Sequence, residues 1–330
     1  MAWDDIIGQE SAKRLLRAHL DTQRIASAYL LYGPPGVGKR KLAFEMAKAL
    51  NCSTGNSAKP CDDCSACRSI QRHAHPDVHF LEPGGASGQV KIESVRQLSE
   101  RLMLRPYSGA FQVAIIEGAN RLTEEAANSL LKVMEEPPST TRFMLITAQL
   151  TDCLPTIRSR SQCIRCRPLP IEVVQPIVER ETPLSEKAAA TVARLAQGSA
   201  AEALSLASRW QSYEPLFERL SDLRSPDWFT EPLPEGRAEA ILWIDALLMW
   251  LRDLAVVRFA QVQQVWHIDR MNALSAQSQT VSPDRCFDTL ARLLVLRESV
   301  EQFANPKLAA AVARETLLEL ASRERHETWV

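Results

Sequence analysis

Four short apolar runs, Ala28 to Tyr32, Val78 to Leu81, Val113 to Glu117 and Phe143 to Thr147, mark the first half of the chain and read as buried strands. Between them, Lys41 to Leu50, Ile92 to Met103 and Glu124 to Met134 repeat apolar residues at helical spacing. Strands buried on both faces and alternating with helices imply βαβ units, so an α/β domain with a parallel sheet is expected. From about Pro168 onward the strand pattern stops, and Lys187 to Ala196 and Ala200 to Ser208 read as two short helices around Gly198. After Trp210, linkers containing Pro and Trp lead into longer helices. There Ile244, Leu248, Leu251 and Ala255 share one face, and Asn305-Pro306 reads as an N-cap followed by the first helical position.

The chain has 330 residues, 45% of them hydrophobic, which is enough to bury the cores of two or three domains. Its 39 Lys and Arg stand against 40 Asp and Glu, so no global basic field announces nucleic acid or an acidic membrane. Any DNA contact must be local. Asp4, Asp5 and Glu10 occupy the positions where a secretory signal carries basic residues. The most apolar stretch, Ile241 to Leu251, is interrupted by Asp245 and falls far short of the roughly 20 residues that span a bilayer. No membrane segment and a cytoplasmic location are expected. In that reducing compartment eight cysteines read as metal ligands or thiols rather than disulfides.

Cys52, Cys61, Cys64 and Cys67 place four thiols within sixteen residues, the last three as C-x-x-C-x-x-C. Four soft ligands from tight turns suit tetrahedral Zn²⁺ and leave no position open to water, so the expected zinc is structural. Lys59, Arg68 and Arg72 lie nearby to offset the negative charge of four thiolates. An iron–sulfur cluster would use the same sulfurs, but the ferredoxin run calls for a further Cys then Pro, where this chain has Gln71-Arg72. His73, His75 and His79 are expected to shape the return of the chain to the sheet, and Cys153, Cys163, Cys166 and Cys286 to be ordinary thiols.

Behind the first strand comes Gly33-Pro34-Pro35-Gly36-Val37-Gly38-Lys39-Arg40, which fits the phosphate-loop pattern G-x-x-x-x-G-K up to its last position. Gly33, Gly36 and Gly38 let backbone N–H groups face a phosphate, and Lys39 can reach the outer phosphates. At the position of the Mg²⁺-binding hydroxyl stands Arg40, a donor-only cation that cannot ligate a metal but can pair with a phosphate. The run ending at Glu117 should close on an acidic pair and instead continues with Gly118, which offers no base. Glu117 and Thr147, each at the end of a predicted strand, complete the candidate nucleotide site. ATP hydrolysis is not expected, and ATP binding is left open.

Together these residues resemble the bacterial DNA polymerase III clamp loader, an AAA+ family whose subunits carry a four-cysteine zinc insertion after the phosphate-loop helix. The resemblance covers nearly the whole chain. Trp3-Asp4-Asp5-Ile6-Ile7-Gly8-Gln9 resembles the family's N-terminal motif beside the adenine pocket. Ala126-Asn128-Ser129-Leu130-Leu131-Lys132 with Glu135-Glu136-Pro137-Pro138 resembles its signature helix and turn. Arg158-Ser159-Arg160-Ser161 matches the S-R-C motif except for Ser161, and puts Arg160 at the arginine-finger position. Asn305-Pro306-Lys307-Leu308 resembles the start of the last collar helix, in a third domain that runs to Val330 without a long tail.

The resemblance implies an AAA+ domain over residues 1–166 with a zinc module at 52–67, a small helical lid over 167–207 and a helical collar over 208–330. An ATPase subunit of this family should keep its loop hydroxyl, an Asp-Glu pair and an Arg two residues after Gly-Ser. Here Arg40, Glu117-Gly118 and Ala200-Ala201 after Gly198-Ser199 replace them. Arg160 retained beside a degenerate site is the pattern of the delta-prime subunit. Its implied partners are an ATPase subunit, a delta-like subunit and, through the assembly, the sliding clamp and primed DNA. The competing readings are an active ATPase subunit of gamma/tau type, another AAA+ motor, and a zinc-containing nucleic-acid binder with a vestigial AAA+ fold.

Overall fold

The computed structural model describes residues 3, 6–54, 60–84, 88–223, 225, 228, 232–259 and 264–321; Asp4, Asp5 and Lys59 lie outside them. The apolar runs form strands in a chain order of α1 (Glu10–Asp21), β1 (Ala28–Tyr32), α2 (Lys39–Asn51), α3 (Ser65–Gln71), β2 (Val78–Leu81) and α4 (Ile92–Leu102). Then follow β3 (Gln112–Glu117), α5 (Glu124–Glu135), β4 (Thr141–Thr147), α6 (Pro155–Ser159) and β5 (Gln162–Arg165). The five described strands pair in parallel, in the order β2-β3-β4-β1-β5. This is the α/β class expected from the sequence.

Alternation along the strands divides the core into two layers. Tyr29, Leu31, Val113, Ile115, Met144 and Ile146 face one side with Leu16 and Leu20 of α1 and Leu42 and Met46 of α2. Leu30, Ala114, Ile116, Phe143 and Leu145 face the other, with Leu98 of α4 and Leu130 of α5. Each fully buried side chain of this kind contributes about 1.5–3 kcal/mol, so the sheet's stability rests on these layers. Thr123 caps α5, its Oγ1 accepting from the Ala126 N–H at 3.3 Å.

The chain divides into two compact units, Met1–Ile177 with Ala196–Ala203, and Val178–Leu195 with Leu204–Val330. In the second unit the helix Arg237–Phe259 buries Trp243, Ile244, Leu247, Trp250, Leu251 and Leu254 and packs on the helices Trp210–Leu220, Met271–Thr280, Pro283–Glu301 and Pro306–Ala321. Asn305 Oδ1 accepts from the Leu308 N–H at 3.1 Å, forming the expected N-cap. The fully buried Asp253 carboxylate accepts from the Trp266 and His267 N–H groups and from His267 Nδ1 at 2.8 Å. Burial alone would raise its pKa, and these hydrogen bonds outweigh it and hold it below the usual carboxylate range. Among the described residues no helix is long and apolar enough to cross a membrane.

Candidate functional site

One helix carries both candidate sites, because α2 starts at Lys39 and its C-cap is Cys52. At the Cys52 end the chain turns through Asp62, held at φ 62, and re-enters a helix at α3, where Cys64 is the N-cap. The Cys64 N–H donates to Cys61 Sγ at 3.3 Å and the Cys67 N–H to Cys64 Sγ at 3.4 Å. Sulfurs of Cys52, Cys61, Cys64 and Cys67 all lie within 4.8 Å of one another. A tetrahedron with metal–sulfur bonds of about 2.3 Å needs a cluster of that size, so the donor set fits a metal ion. Burial opposes ionisation of Cys64, but hydrogen bonds from Ser53 and Cys67 outweigh it and bring its thiol down to about 5. Burial pushes the fully buried Cys67 thiol up instead.

The neighbouring histidines serve other partners: His79 Nε2 meets Gln112 Oε1 at 2.9 Å, His75 Nδ1 accepts from the Asp77 N–H, and His73 meets the Phe44 ring edge-on. Burial raises the thiols of Cys153, Cys163, Cys166 and Cys286 above their ordinary value, which suits inert packing. A cation that the sequence did not single out joins the knuckle to α2. Lys48 Nζ bonds Asp62 Oδ1 at 2.8 Å and Glu45 Oε1 at 2.5 Å, with only 6% of its side chain exposed.

At the Lys39 end, the carboxyl ends of β1, β3 and β4 open onto a cleft of about 1220 Å³. Gly36, Gly38, Lys39, Arg40, Glu117 and Thr147 all line it. Gly33 contributes its carbonyl, which accepts from Lys39 Nζ at 2.5 Å, while Pro34 O accepts at 2.6 Å. Burial lowers the Lys39 pKa. A side chain at Gly36 would be strained for two reasons: its φ is 72, and a Cβ there would stand 2.1 Å from Ser199 Oγ and 2.9 Å from Ala201 Cβ. The Ala201 N–H reaches Gly36 O at 3.4 Å, so the small residue after Gly198-Ser199 packs directly on the loop. Ile6 of the N-terminal motif lines the same cleft, and Gln9 clasps the loop by donating to Val37 O at 3.1 Å.

Arg40 does not point at empty space. Its Nη1 lies 3.4 Å from Glu117 Oε2 and 3.6 Å from Glu82 Oε2, and its guanidinium covers the Phe80 ring at 4.1 Å from the centroid. Sequence reasoning missed Glu82 and Phe80. Their placement follows from the strand register, in which Leu81 pairs with Ile116 and the residues that come next are Glu82 and Glu117. Arg160 stands apart from the residues lining this cleft. It caps α6, and its Nη2 bonds Glu135 Oε1 at the end of α5 at 2.8 Å, with 37% of the arginine side chain exposed.

Comparison with known proteins places the chain. The family described as DNA polymerase III, delta subunit, matches residues 8–170. DNA polymerase III subunit delta' of Escherichia coli (strain K12) is 31% identical over 279 residues, 83% of this chain and 82% of that protein. The delta' subunit of Bacillus subtilis (strain 168) is 29% identical over 293 residues, 83% and 87% of the two chains. DNA polymerase III subunit tau of Escherichia coli (strain K12) is 35% identical, but over 207 residues that make up 61% of this chain and 32% of that protein. With the Escherichia coli match at 31% identity across more than four fifths of both proteins, the chain belongs to the DNA polymerase III delta' subunit family.

Proposed function

We propose that this chain is the delta'-type subunit of a DNA polymerase III clamp loader, which helps load the sliding clamp on primed DNA without hydrolysing ATP itself. The observation that carries this reading is the cleft, which keeps its glycine loop and Lys39 yet presents a guanidinium in place of the metal-binding hydroxyl and Gly118 in place of a base. Arg160 acts on ATP held by an adjacent ATPase subunit. Its exposed pairing with Glu135 supports this role, because such pairs contribute about 0–1 kcal/mol and release the guanidinium at little cost. The assembly contains an ATPase subunit and a delta-like subunit, and works in the cytoplasm. Residues 1–166 act as the AAA+ domain, 167–207 as the lid and 208–330 as the collar. The four cysteines hold structural zinc, which no open coordination position makes catalytic.

In a reconstituted loader, Arg160→Ala should assemble normally and lower DNA-stimulated ATPase and clamp-loading rates on the order of tenfold, diluted from the roughly 10³–10⁵ of a single finger by the other sites. Arg160→Lys should rescue poorly, because a point charge lacks the planar fork. Unchanged rates in a normally assembled Arg160→Ala loader would reduce the chain to a scaffold. The 35% identity to tau over 207 residues favours a working ATPase as the second reading. Turnover by the isolated chain, abolished by Lys39→Ala, would establish that reading instead.

A further inference from the structure

Arg40 occupies an unusual position for a phosphate-loop residue. Two carboxylates from neighbouring strand ends, Glu82 and Glu117, converge on its guanidinium, and the Phe80 ring supports it from beneath. In a metal-dependent loop those carboxylates would face a hydrated divalent ion, held in part by a hydroxyl at position 40. Here the positive charge is covalently attached to the protein and already satisfies them. A divalent ion entering between Glu117 and a phosphate would have to displace this guanidinium against its charge, and would find no hydroxyl ligand.

The guanidinium is not used up by these contacts. Arginine has five donors, its ion pairs here are long, and 45% of its side chain remains exposed in the cleft. Lys39, the next residue back, and the N-terminus of the thirteen-residue α2 add further positive charge on the same wall. Resting on the reading of residues 33–40 as a phosphate loop, we propose that Arg40 takes the place of the divalent metal ion and that the cleft binds a nucleoside diphosphate without Mg²⁺. One guanidinium carries half the charge of the ion it replaces, which favours a diphosphate over a triphosphate. Lys39 must exchange its bonds to Gly33 O and Pro34 O for bonds to phosphate, so affinity is modest.

The test is calorimetric titration of ADP into the full chain, with zinc retained and checked by metal analysis, in Mg²⁺-free buffer and again with Mg²⁺. The native chain should bind ADP with affinities that agree within about twofold in the two buffers. Arg40→Thr, which supplies the missing hydroxyl, should bind at least about tenfold more weakly without Mg²⁺, the size of one lost charge-assisted hydrogen bond, and recover when Mg²⁺ is added. A native affinity that rises about tenfold with Mg²⁺ overturns the inference, as does a native chain that binds no ADP in either buffer. So does an Arg40→Thr chain that matches the native one in Mg²⁺-free buffer. Each of these failures leaves the Arg160 experiment untouched, so the clamp-loader reading stands or falls separately.

Discussion

The two ends of α2 carry motifs of equal antiquity in appearance and opposite condition. At the Cys52 end the sulfurs of four cysteines converge as a metal site needs; at the Lys39 end a glycine loop folds beside Arg40, where the phosphate-loop pattern calls for a hydroxyl. The difference follows from what each site does for the fold. Thiolates around an ion replace core that a short excursion of chain cannot build, so losing one ligand loses the structure of the segment. Groups that polarise water or hold Mg²⁺ contribute nothing to the packing of β1, β3 and β4, so they can be replaced while the sheet remains intact. Catalytic parts are therefore more dispensable to the architecture than a structural cross-link.

Metal removal should produce the largest effect and would break the comparison if it did not. The reduced protein should hold one zinc per chain with no visible absorbance, and Cys64→Ser should lose it. Hydrogen exchange should then show residues 52–74 unprotected and β1 to β5 still protected, because the strand cores lie elsewhere. A brown protein, or a Cys64→Ser chain that keeps stoichiometric zinc, would contradict the assignment.

The intermediate effect tests the link between the two ends. Lys48→Met leaves Glu45 and Asp62 without their shared ammonium and should cost about 3 kcal/mol in denaturant unfolding, at the low end for buried pairs because Asp62 keeps 22% exposure. Burial would lower the Lys48 pKa, but its bonds to Asp62 and Glu45 outweigh it and raise the value above the ordinary one. A raised lysine contributes fully below the unfolded value of about 10.4 and loses its contribution only as pH climbs through the folded value. Stability attributable to Lys48 should thus be flat across neutral pH and fall only in strong alkali; a fall near neutrality would count against the bridge.

The smallest effect belongs to the cleft. Glu117→Gln removes one exposed partner of Arg40 and should change stability by less than about 1 kcal/mol, with zinc content unaltered. A larger loss, measured by the same unfolding curves, would show that the phosphate loop has become structural in its own right.

Much of this was legible in the sequence because burial on both faces writes itself as unbroken apolar runs. β1 to β4 appeared that way, and the ends of α2, α4 and α5 fell within two residues of their periodic patterns. β5 did not appear. It is an edge strand in which only Ile164 is fully buried, so Gln162–Arg165 carries too little apolar signal. The α1 helix is also hard to see in the sequence, since its buried face includes Lys13, whose ammonium reaches Ile6 O at 2.9 Å and whose residue type suggests solvent. In the sites, the spacing of Cys52, Cys61, Cys64 and Cys67 announced residues whose sulfurs the fold brings together, and the loop pattern announced the place of Lys39 and Arg40. The seat of Arg40 on Phe80 and Glu82 depends on strand register, which no local pattern reports.

The parallel sheet has a temporal consequence for synthesis. β1 pairs with β4 and β5, so Ala28 must wait for Phe143 and Tyr29 for Gln162 before their backbone bonds can form. The four cysteines close within sixteen residues and wait for nothing downstream. As the chain leaves the ribosome, the proposed zinc knuckle at the end of α2 can close while β1 is still unpaired and aggregation-prone. Zinc supply during translation, rather than afterwards, should therefore govern the yield of soluble protein.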